Sequence, residues 1–69
     1  MDAAERMEII SGMAAIKERL ETAREVFNST TDEALIDSCI YEIISLNAKY
    51  RYFLRIAKEK GIRAEGFDR

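Results

Sequence analysis

Sixty-nine residues with a net charge of −2, no histidine, no proline and one cysteine leave few chemistries open. Cys39 has no second thiol for an intramolecular disulfide, and one thiol without histidine gives too few soft ligands for a structural zinc site. No apolar run approaches the roughly 18 residues of a membrane span, and the start Met1-Asp2-Ala3-Ala4-Glu5 is too acidic for a signal peptide. The expectation is a cytoplasmic protein with no membrane partner.

Hydrophobic residues make up 48% and charged residues 35%, with only three glycines, a mixture that favours long helices over sheet. Chains this short rarely bury enough apolar area to offset their ordering entropy. With disulfide and metal excluded, oligomerisation is the remaining supplement.

The first apolar register is Ile9, Met13, Ile16, Leu20, Ala23, Phe27, at alternating steps of four and three. That is a coiled-coil-like seam on a helix from about residue 2 to 27. Gly12 falls inside it at a cost of about 1 kcal/mol relative to alanine; it either permits a close backbone approach or, on the preferred reading, is an exposed, tolerated glycine.

The pattern breaks at Asn28-Ser29-Thr30-Thr31. Asn28 suits the left-handed conformation that ends many helices. Thr30 with Glu33 fits a capping box for a second helix from about 31 to 60, and Gly61 follows as its stop. Residues 1–61 thus form one helical unit, and the tail 62–69 is expected to fray.

Two apolar seams run side by side along the second helix. One is Ile36, Ile40, Ile43, Asn47, Tyr50, Leu54, Ala57; the other is Cys39, Ile43, Leu46, Tyr50, Phe53, Ala57. Together they exceed the roughly 100° stripe that one neighbour covers. Two long helices joined by a short loop pack antiparallel, so the predicted fold is an all-α helical hairpin. Its uncovered seam predicts a homodimer, a four-helix bundle. Ile36, Cys39, Ile40, Ile43, Leu46, Asn47, Tyr50, Phe53 and Leu54 are the candidate interface. Within it, Asn47 is placed to fix register, or else lies at the bundle edge. A vacant Cys39–Leu46–Phe53 face would mark a monomer's docking site.

Charge is uneven. Residues 1–48 carry four basic and ten acidic side chains, and residues 49–69 seven basic and three acidic. Lys49, Arg51, Tyr52, Arg55 and Lys58 therefore form a candidate nucleic-acid contact, cations beside a stacking ring. The same cations also suit a helix C-terminus and the acidic Asp2, Glu5 and Glu8 across an antiparallel hairpin. Cys39 reads as a small buried hydrophobe whose helical neighbours, Asp37 and Glu42, do not activate a thiol. Glu8, Glu18, Glu21, Glu25 and Glu42 lie off the seams and read as solvated, and no motif for nucleophilic, phosphate-cradling or di-metal chemistry is present. No cofactor and no enzymatic activity are expected.

The stretch Leu46-Asn47-Ala48-Lys49-Tyr50-Arg51-Tyr52-Phe53-Leu54-Arg55-Ile56-Ala57-Lys58-Glu59-Lys60-Gly61-Ile62 resembles the carboxyl-terminal signature of the YaaL-like family. These are small helical proteins of Gram-positive spore-forming bacteria without an established activity, so the resemblance implies a small cytoplasmic helical protein and no catalytic residue. A second likeness is to the Spo0E-like hairpins, which regulate sporulation by dephosphorylating a response regulator. Ser38-Cys39-Ile40-Tyr41-Glu42 keeps the serine and an acid of their Ser-Gln-Glu-Leu-Asp motif. Three functions follow: a self-associating interaction module, a nucleic-acid binder, and a regulatory hairpin contacting a signalling protein through Ser38 and Glu42.

Overall fold

The computed structural model describes residues 3–62 and contains two α-helices of 27 residues each, α1 (Ala3–Ser29) and α2 (Glu33–Glu59). They pack side by side as a hairpin 45 Å long, with no strand among the described residues. Antiparallel order follows from the pairs across the interface: Glu5 meets Lys60, Gly12 meets Phe53, and Arg19 meets Glu42.

The turn is built differently from the expected capping box. α1 runs through Asn28 to Ser29, and no residue other than glycine has positive φ among those described, so Asn28 stays helical. Its last turn closes when the Thr30 N–H donates to the Val26 carbonyl at 3.0 Å. The cap of α2 is Asp32, extended at φ −76° and ψ 121°, whose Oδ1 accepts from the Leu35 N–H at 2.9 Å. Asp32 outcompetes Thr30 because its position puts the carboxylate beside the free N–H groups of the first turn. Thr30 instead accepts the Asp32 N–H on its hydroxyl at 3.1 Å, holding the short link in shape. Glu33 opens the helix, where its charge favours the positive end.

At the other end, Gly61 adopts φ +72°. The Gly61 N–H donates to the Lys58 carbonyl and the Ile62 N–H to the Ala57 carbonyl, at 3.2 and 2.8 Å. This is a Schellman motif, in which the residue after the glycine turns back onto the helix's last apolar positions. Ile62, assigned to the frayed tail on sequence, is accordingly buried against Ile9, Met13 and Ala57. Residues 63–69, the rest of that tail, lie outside the described residues, as do residues 1 and 2.

The core is one seam deep. Ile9, Met13, Ile16, Leu20 and Ala23 line α1, while Phe27, the last member of that register, is left exposed at the loop end. From α2 come Cys39, Leu46 and Ala57. Met13 and Ala57 are both fully buried, a large residue filling the space opposite a small one. Tyr50 and Phe53 pack against both halves of this core and join them. Gly12, read as exposed, instead sits under the Phe53 ring, so its missing side chain is what lets the ring approach.

Candidate interaction surface

The two seams of α2 have different fates. Cys39, Leu46 and Phe53, expected to stand vacant in a monomer, are covered by α1: Cys39 is 3% and Leu46 5% exposed. These residues hold the hairpin together, and Ile43 and Tyr50 share that task from the seam's edge. The other seam meets α1 only in part: Ala57 is core and Leu54 packs against Ile9, Met13 and Ala57. Ile36, Asn47 and Leu54 are half-buried along it, while Ile40 is 40% exposed.

One exposed residue on this flank escaped the sequence reading. Ile44 is 61% exposed, and its step of four from Ile40 places it beside that row on the outer side. The steps of the doubled seam return to α1-facing positions, and Ile44 lies just beyond them. A step of three from Ile44 to Asn47 carried the signal. The result is an apolar strip on one flank of α2, exposed at Ile40 and Ile44 and half-buried at Ile36 and Leu54.

The basic cluster is split around the helix. Arg51, Leu54, Arg55, Lys58 and Glu59 line a shallow groove of about 310 Å³. The Arg55 guanidinium lies over the Tyr52 ring, 5.6 Å from its centroid, and also reaches Glu59 at 3.9 Å. Lys49 is two residues from Arg51, about 200° around the helix, and does not join that groove. Lys60 is turned toward α1, where it pairs with Glu5 at 3.2 Å. Arg51, Arg55 and Lys58 therefore share one face, as their steps of four and three place them, and Lys49 lies off it.

Near the turn, Cys39 lines a groove of about 260 Å³ with Arg19, Thr22, Val26, Leu35 and Ser38. Glu42, read as solvated and as a free contact residue beside Ser38, is half-buried here and pairs with Arg19 at 3.5 Å. Arg19 comes from α1, so its approach to the Cys39 groove was invisible to a reading limited to helical neighbours. Glu8, Glu18, Glu21 and Glu25 are exposed. Among the described residues, no group of three or more acidic, cysteine or histidine side chains is placed to hold a metal. Nor is any helix among them long and apolar enough to cross a membrane.

Comparison with known families places a match over residues 2–64, to the family described as "Protein of unknown function (DUF2508)". No curated protein and no solved structure matched the chain.

Proposed function

The chain belongs to this family of proteins of unknown function, and from that premise we propose a non-enzymatic helical interaction module that self-associates through α2. The observation that carries the proposal is the apolar strip on this flank, exposed at Ile40 and Ile44 and continued by the half-buried Ile36 and Leu54 beside Asn47. Scattered exposed hydrophobes are ordinary on any surface, but a row along one helix flank is the pattern of a contact site.

A second hairpin laid on that strip gives a four-helix bundle. An interface of about 1,500 Å² is standard for a stable complex, and its apolar part yields a gross gain of tens of kcal/mol at about 25 cal/mol per Å². Association and ordering costs remove most of that gain. The likeness of residues 46–62 to the YaaL-like proteins agrees with this reading, since it brings no catalytic residue.

Light scattering coupled to size exclusion, over a hundredfold range of concentration, tests the proposal. A dimer mass is expected, and a monomer throughout overturns it.

Nucleic-acid binding is a second reading, favoured by Arg55 over Tyr52 beside Arg51 and Lys58. It requires gel retardation of RNA or DNA at low salt that is lost in Arg51→Ala/Arg55→Ala. Three aligned cations, one already paired with Glu59, make this the weaker reading.

A further inference from the structure

The direction in which a second copy lies follows from the charges along α2. This inference rests on self-association through α2 and supplies its geometry. Glu33 and Asp37 are exposed at the N-terminal end of the helix, and Arg51, Arg55 and Lys58 at its C-terminal end, where Glu59 pairs with Arg55 and leaves the end net positive. Asn47 lies between them in the apolar row. Two copies of α2 laid parallel and in register set Asp37 against Asp37 and each cation against its twin. Like charges brought together at an interface select against that arrangement. Reversing one copy sets each acidic end against a basic end.

The apolar residues agree with the reversal and fix its register. Ile40 and Leu54 stand equally far from Asn47, seven residues before and seven after. Asp37 precedes Asn47 by ten residues, and Arg55 and Lys58 follow it by eight and eleven. An axis through Asn47 therefore sets Ile40 opposite Leu54 and Asp37 between Arg55 and Lys58. Asparagine carries a donor and an acceptor on one amide, so two related by a two-fold axis can bond to each other. A single polar residue of this kind in an apolar seam specifies register.

We propose that a second copy of this chain docks its α2 antiparallel on the exposed flank, with the two-fold axis at Asn47. Ile40 then packs on the second copy's Leu54, and Asp37 faces the second copy's Arg55 and Lys58.

Single-cysteine variants test the geometry in the full chain, with Cys39→Ala removing the buried native thiol. A disulfide requires Cα atoms within about 7 Å. Residues 40 of the two copies lie about 21 Å apart in the antiparallel register at 1.5 Å per residue. Under mild oxidation, Asn47→Cys is expected to form a covalent homodimer. Ile40→Cys and Leu54→Cys are each expected to stay uncrosslinked alone and to form a heterodimer when mixed. A homodimer of Ile40→Cys overturns the antiparallel register. Dimer mass by light scattering without any of these cross-links also overturns it, while leaving self-association intact. Monomeric mass for the unmodified chain at every concentration removes both.

Discussion

The Phe53 ring lies so close to Gly12 that a Cβ on residue 12 would stand 3.0 Å from Cζ. That distance turns a mid-helix glycine from a local weakness into a packing requirement. Alanine there gains about 1 kcal/mol of helix propensity, but the ring must shift to admit the methyl group, and Phe53 is packed against both halves of the core. Gly12→Ala is therefore expected to leave stability near that of the parent. In a Phe53→Ala background the same change should stabilise by about 1 kcal/mol, the propensity term without the clash. Urea unfolding at fixed protein concentration reads both values. An equal gain in the two backgrounds would show that the contact carries no constraint.

The cap of α2 gives a second prediction. Asp32 accepts from the Leu35 N–H at 2.9 Å, whereas Glu33 is simply the first helical residue. Asp32→Ala is expected to cost about 1 kcal/mol, as loss of an N-cap does. Glu33→Ala should cost at most a few tenths of a kcal/mol through the helix dipole. If the two losses were equal, or reversed, Asp32 would not be the cap.

These two sites show what could be read from the chain and what could not. The α1 seam from Ile9 to Ala23 was legible because steps of three and four have one structural meaning, and all five of its residues are buried. The hairpin followed from the break after Phe27. The width of the α2 stripe was legible too, but periodicity measures width without saying which half meets α1. Cys39 and Leu46 proved to be hairpin core, and Ile40 the exposed side. Gly12 looked tolerated because its reason for being glycine is Phe53, on the other helix. Thr30 and Asp32 both satisfy local capping rules, and only the path of the turn decides between them. Glu42 looked solvated because Arg19, its partner, comes from α1.

The end of α2 was misread for a different reason, and it gives the third prediction. Gly61 reads as a stop with a loose chain beyond it, although an apolar residue directly after such a glycine commonly folds back. Ile62 is only 6% exposed, against Ile9, Met13 and Ala57. Ile62→Ala should cost about 2 kcal/mol, the low end for a buried aliphatic because the site is at the edge of the core. Gly61→Ala should cost about 1 kcal/mol, since φ is +72° there and L-residues resist the left-handed region. Thermal unfolding of both variants checks the pair. An unchanged Tm for Ile62→Ala would mean that the fold-back adds nothing to stability.

The last prediction separates the hairpin's own core from the surface proposed to join two hairpins. Leu46 is 5% exposed and packs with Ile16 and Leu20, so aspartate there buries a charge without a partner. Leu46→Asp should therefore unfold the chain, with loss of helicity at every concentration. Ile44 is 61% exposed on the outer side of α2, where aspartate remains in water within one hairpin. In the paired state, however, the same carboxylate would meet apolar surface from the second copy. Ile44→Asp should keep the helical signal in circular dichroism while weakening association at least about tenfold, equivalent to about 1.4 kcal/mol. Ile40→Asp should behave like Ile44→Asp for the same reason. Light scattering and circular dichroism on the same samples distinguish the outcomes. Retention of the parent mass by both flank variants would remove α2's exposed strip as the site of self-association, whatever happens to Leu46→Asp.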